Sequence, residues 1–169
     1  MLAKIADIME SVRAKTPLVH CITNYVTIND CANILLCFGA SPAMCEAVAE
    51  VEEFVPFASA LYINIGTFSK EQEEAAIPAS LKAAELKVPV VIDPVACGVI
   101  SRRMQVTKKL LDLAGITIIK GNTGEIKALA GYGAKVRGVD SLEEGEDAIE
   151  ACVNLARRYN TVVAATGKT

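Results

Sequence analysis

Two carboxylates stand out by position. Asp93 ends the apolar run Val88-Pro89-Val90-Val91-Ile92 and is followed by Pro94 and the small residues Ala96, Cys97 and Gly98. Glu125 follows a second run, Ile116-Thr117-Ile118-Ile119, across Lys120-Gly121-Asn122-Thr123-Gly124. A strand without polar alternation is the pattern of a parallel sheet covered on both faces, and such sheets place ligand sites beyond the carboxyl ends of their strands. Two acids, the cation Lys120 and a glycine-bearing turn at a helix start would meet in one crevice there. Carboxylates hold hard divalent cations, and N–H groups at a helix N-terminus attract phosphate, so the chemistry implied is a Mg-nucleotide site.

A plainer reading stays open for each residue. Asp93 is also placed to cap the loop after its strand, and Glu125 to face the helix dipole as a first-turn acid. Lys120 and Thr166 end apolar strands, where they suit a phosphate or an ordinary turn. The terminal Gly167-Lys168-Thr169 is no phosphate-binding loop of the G-x-x-x-x-G-K-[ST] type, because Val162 stands where the first glycine is needed. No G-x-G-x-x-G occurs. His20 and Cys21 are neighbours on a strand and point to opposite faces, so they are read as structural residues and not as a nucleophilic pair.

The elements that must position these residues alternate along the chain. An amphipathic helix opens it, with apolar residues at helical spacing from Met1 to Met9. A strand over 17–22, a helix over 27–38 closed by Gly39, a short extended piece over 40–45 and a helix over 49–57 follow. Next come a strand over 60–65, a helix over 71–87 capped by Ser69, a strand over 88–92 and a helix over 102–113. The series ends with a strand over 116–119, helices over 123–130 and 142–159, and a strand over 161–165. Such alternation predicts an α/β fold, a mostly parallel sheet with right-handed crossovers and helices on both faces.

Composition narrows the class. The 169 residues are 52% hydrophobic, yet no apolar run approaches the ~20 residues that span a bilayer. The net charge of −3 comes from intermixed acids and bases with no basic stripe, which excludes nucleic acid as a partner. Six cysteines lack C-x-x-C pairing, zinc spacing or a preceding leader, so reduced thiols in a cytoplasm are expected. No linker divides the chain, and one domain over 1–169 is expected. The last strand would leave uncovered apolar surface, so a truncated chain whose surface is hidden by oligomerisation is expected as well.

Six segments in order carry a resemblance: Ile22-Thr23-Asn24-Tyr25-Val26, Gly39-Ala40-Ser41-Pro42-Ala43-Met44, Ile63-Asn64-Ile65-Gly66-Thr67, Asp93-Pro94-Val95, the Gly121-Asn122-x-x-Glu125-Ile126 turn, and Thr166-Gly167. Together they resemble the hydroxyethylthiazole kinases of thiamin salvage, members of the ribokinase-like superfamily with its three-layer α/β fold. The resemblance implies phosphoryl transfer from ATP to the alcohol of 4-methyl-5-(2-hydroxyethyl)thiazole, with Mg²⁺ as cofactor. By motif, Asp93 and Glu125 would hold Mg²⁺ and phosphates, and Lys120, Asn122 and Thr166 would lie along the ATP. The thiazole would rest near Asn24, Val26, Met44, Gly66 and Thr67. A homotrimer with sites between subunits is implied too.

Two departures from the family accompany the likeness. Lys120 stands where the family usually has arginine, which replaces a two-pronged donor by a point charge. The family's anion hole and base lie beyond Thr169, so no catalytic residue is expected within this chain. The alternative function is therefore a catalytically incomplete fragment that only binds ligand or associates with other subunits.

Overall fold

Six parallel strands form one sheet in the order β2-β1-β3-β4-β5-β6. They are β1 Leu18–Ile22, β2 Ser41–Ala43, β3 Ala60–Asn64, β4 Val90–Asp93, β5 Ile118–Asn122 and β6 Val162–Thr166. The computed structural model describes residues 2–132 and 143–167. Its helices are α1 Leu2–Lys15, α2 Ile28–Phe38, α3 Val51–Phe54, α4 Lys70–Leu86, α5 Ser101–Leu113, α6 Thr123–Ala130 and α7 Glu143–Tyr159. Residue 142, expected to start the last long helix, and Lys168 and Thr169 lie outside the described residues.

Local chemistry sets the helix ends. Gly39 closes α2 in the left-handed region at φ 91°, where a side chain is costly. Ser69 and Gln72 close a capping box at the start of α4, as Asn122 and Glu125 do for α6. The helix expected over 49–57 is shorter than that. α3 lasts one turn and gives way to a 3-10 turn, Val55–Phe57, because a proline ring at Pro56 would clash with the carbonyl four residues back in a continuous α-helix.

The two faces of the sheet differ. One register row, Ile22, Ile63, Ile92 and Ile119, is fully buried and joins Ala75, Ala76, Ala79 and Ala83 of α4, Leu110 of α5, Ile126 of α6 and Leu155 of α7 in one core. The alanines let α4 approach closely, and it packs on β1, β3 and β4. The neighbouring row, Cys21, Tyr62, Val91, Ile118 and Val162, faces the other way. There α2 leaves an apolar groove of about 550 Å³ lined by Val19, Cys31, Ile34, Leu35, Tyr62 and Val91. Beyond it Val162 is 60% exposed. α1 packs on α2 and buries none of its residues, so Leu2, Ile5 and Ile8 stay exposed.

Candidate functional site at the strand exits

In a parallel sheet all strands end on one edge, and the crevice opens where connections diverge. Here β1 leads through α2 outward to β2, whereas β3 leads through α4 the other way to β4. The switch point thus lies between β1 and β3, and the exits of all six strands form a rim beside it.

From β1 to β3 the rim is tied by neutral amides. Asn24, buried at the β1 exit, accepts at Oδ1 from the N–H groups of Val26 and Thr27, both at 3.1 Å, and from the Thr27 hydroxyl. Its Nδ2 donates to Asn64 Oδ1 at 2.9 Å. Asn64 Oδ1 also accepts from Gly66 N at 2.9 Å, and Asn64 Nδ2 donates to the Tyr62 hydroxyl. A Cβ at Gly66 would lie 3.0 Å from Asn64 Oδ1 and 3.1 Å from Asn24 Cβ; this close approach calls for glycine. Thr67 Oγ1 accepts from Tyr25 N at 2.9 Å. Asn24, Gly66 and Thr67 are therefore brought together, while Asn24 spends its side chain on loop shape. Val26 is exposed and Met44 half-buried on the adjoining exits of β1 and β2.

The β2 exit is anchored from below. His20, wholly buried, donates from Nε2 to the Cys45 carbonyl at 2.6 Å and meets Phe54 edge-on at 4.9 Å. Its Nδ1 is buried without a partner, and burial holds the ring pKa below the ordinary histidine value. Burial likewise pushes the Cys21 thiol up to about 12 and Cys97 up to about 11. Neither is a thiolate nucleophile near neutral pH.

From β4 to β6 the rim is tied by charge. Asp93 lies at the end of β4, its side chain 8% exposed, and Lys120 Nζ reaches its Oδ2 at 2.9 Å. Burial raises the Asp93 pKa, Lys120 pulls it back, and the charge of Glu125 adds to the rise. Glu125 accepts at Oε1 from Ala96 N and at Oε2 from Asn122 N, both at 2.8 Å. It thus braces the β4 exit loop against the β5 exit. Thr166 Oγ1 donates to the Gly121 carbonyl at 3.3 Å, and its own carbonyl accepts from the Thr123 hydroxyl. Asp93, Lys120, Asn122, Glu125 and Thr166 all share this half.

Among the described residues no three His, Cys, Asp or Glu side chains gather into a cage for a metal. That fits Mg²⁺ all the same, since this ion keeps several waters and takes one or two carboxylates plus the phosphates of a nucleotide. Asp93 is the better candidate. Glu125 already accepts a backbone N–H at each oxygen, although each keeps a lone pair.

Four further residues hold the rim, and the sequence reading did not single them out. Asn64 and Gln72 supply amides, Glu46 accepts from Tyr25 and Gln72, and Arg103 of α5 donates to the carbonyls of both Gly66 and Val95, joining the two halves. The spacing Ser69-x-x-Gln72 was a visible capping-box signal. For the rest, the partners that join one strand exit to another lie 8 to 49 positions apart and leave no local signature.

A model of the hydroxyethylthiazole kinase family matches residues 9–169. The chain belongs to the hydroxyethylthiazole kinase family. Hydroxyethylthiazole kinase 2 of Clostridium botulinum strain Loch Maree is 61% identical over 162 residues, 96% of this chain and 62% of the relative. Hydroxyethylthiazole kinase of Clostridium kluyveri is 59% identical over 167 residues, 99% of this chain and 62% of the relative. A solved hydroxyethylthiazole kinase protein from Pyrococcus horikoshii OT3 superposes with a TM-score of 0.85 at 40% identity, covering 95% of this chain and 59% of that one. The chain thus spans about three fifths of the length of these relatives. Family membership bears out the ribokinase-like α/β fold expected from the sequence. Among the described residues no helix is long and apolar enough to cross a membrane.

Proposed function

We propose that this hydroxyethylthiazole kinase family chain serves the ATP-dependent phosphorylation of the hydroxyl of 4-methyl-5-(2-hydroxyethyl)thiazole, giving the phosphate used to build thiamin phosphate. The observation that carries this reading is the rim itself: a neutral, amide-built half adjoins a charged half across the switch point. An uncharged heterocycle suits the first half, near Asn24, Val26, Met44, Gly66 and Thr67, with the Met44 thioether as a polarizable wall. ATP suits the second, along Lys120, Asn122 and Thr166.

Phosphoryl transfer needs alignment and charge neutralisation more than covalent chemistry. Asp93, with Glu125 beside it, would hold Mg²⁺, which when bound neutralises charge on the phosphates. Lys120 sits within reach of the same carboxylate and supplies a second positive charge. Arg103 keeps the acceptor exit at Gly66 in register with the phosphate exit at Val95. We further infer a cytoplasmic homo-oligomer, a trimer by resemblance, which light scattering would test.

Titration calorimetry should detect binding of both the thiazole alcohol and Mg-ATP, and mass spectrometry should detect thiazole phosphate when both are supplied. A protein that phosphorylates a pyrimidine or sugar alcohol at least tenfold faster than the thiazole would sink the substrate assignment. A second reading, binding or subunit association without turnover, is favoured by the exposed sheet face around Val162 and Ala164. Binding of both ligands with no product would support it.

A further inference from the structure

Gln72 does more than a capping residue requires. Its Oε1 accepts from Ser69 N at 3.2 Å, which with the Ser69 hydroxyl completes the box at the start of α4. Its Nε2 leaves the helix altogether. One N–H donates to the Thr23 carbonyl at 2.8 Å, at the β1 exit, and the other to Glu46 Oε2 at 2.9 Å, beyond the β2 exit. Glu46 in turn accepts from the Tyr25 hydroxyl at 2.6 Å, and Tyr25 N donates to Thr67 Oγ1 at 2.9 Å.

One amide, 1% exposed, therefore ties the exits of β1, β2 and β3 in a closed circuit. Both of its N–H donors are used and its oxygen accepts once, and losing one of these bonds would strand a buried polar group. The three tied segments carry Asn24, Val26, Met44, Gly66 and Thr67. Of those five side chains only Thr67 takes part in the circuit, as an acceptor from Tyr25 N, so the pocket they outline depends on residues outside it.

We propose that Gln72 is a positioning residue of the acceptor pocket, acting through Glu46 and Tyr25 to hold the Asn24 and Met44 loops at fixed separation; this rests on the thiazole reading of the rim. The capping role and the tying role are separable by one atom. In Gln72→Glu the side chain keeps an oxygen for Ser69 N, and glutamate is as good as glutamine at that box position. What it loses is both N–H donors, and it sets a carboxylate against Glu46. Pairing it with Glu46→Gln returns a donor to the contact from the other side.

The test uses Gln72→Glu alone and with Glu46→Gln, in the whole protein, read by kinetics and by backbone hydrogen exchange. Gln72→Glu should raise KM or Kd for the thiazole alcohol at least tenfold with Mg-ATP binding changed less than twofold. It should speed exchange in segments 23–27 and 43–47 while the α4 amides stay protected. The double variant should recover most of the affinity for the alcohol. Affinity within twofold of wild type in Gln72→Glu would overturn the role, since a cap alone predicts that result, and so would unchanged exchange in the two loops. A wild-type protein that neither binds nor phosphorylates the alcohol would sink the thiazole reading, and exchange then decides on the tie by itself.

Discussion

From β1 to β3 the rim is held by Asn24, Asn64 and Gln72, neutral amides whose partners are other amides, backbone groups, hydroxyls and one carboxylate. From β4 to β6 it is held by Asp93 with Lys120 and by Glu125 bridging two backbone N–H groups. The first half fixes shape and sets up little field. The second concentrates charge, and does so at a cost, because burial disfavours the ionised form of Asp93. A fold that needed only a loop cap there would do as well with asparagine. The buried carboxylate therefore contributes less to stability than its ion pair alone would suggest, whereas the amides opposite serve stability and shape together.

The sharpest way to break this contrast is Asp93→Asn. It should lower kcat/KM for thiazole phosphorylation by about a thousandfold, roughly 4 kcal/mol in transition-state terms, and leave the urea midpoint unchanged or slightly raised. Lys120, half-exposed, keeps its hydration when the partner goes. A fall in stability equal to the fall in activity would make Asp93 a structural cap. Asn64→Leu addresses the other half. It strands Asn24 Nδ2 and Gly66 N, so unfolding free energy should drop by about 2–3 kcal/mol in urea titration. An unchanged midpoint would show that the amide circuit does not hold the fold.

The smallest effect separates the halves by pH. His20 is held neutral, its folded pKa below the ~6.5 of an unfolded chain. As pH falls through about 6.5 the unfolded state takes protons first, and stability drops. Asp93 shifts upward, so the fold takes its proton first, and acidification towards ~3.9 returns stability. Urea midpoints should therefore decline less from pH 7 to 5.5 in His20→Gln than in wild type. They should fall more steeply below pH 5 in Asp93→Asn, and parallel curves for all three proteins would refute the assignment.

Much of this was legible beforehand because apolar runs and their polar terminations are local. α6 has the expected bounds, and every strand overlaps its expected place. The edges moved where neighbours intervene. β5 was expected to end at 119 but continues to Asn122, because Lys120, Gly121 and Asn122 pair with Ala164, Ala165 and Thr166 of β6. Val88, read as strand, instead donates to the Ala83 carbonyl after Lys87 turns left-handed at φ 59°. At the site, Asp93 and Lys120 showed themselves as ends of apolar runs. Gln72 did not, since its second role depends on Thr23 and Glu46, 49 and 26 positions away.

The Lys120–Asp93 pair bears on how a cation would enter. The Asp93 carboxylate has a counter-ion on the next strand, 2.9 Å away. A divalent ion held by Asp93 would have to share that carboxylate with the Lys120 ammonium, and an accompanying polyphosphate would offer the ammonium another partner. A bare metal ion would meet a site already neutralised, whereas a metal arriving with its nucleotide brings the replacement partner for each half of the pair. Discrimination of that kind requires no dedicated gate, only a salt bridge that two charges of opposite sign must open together.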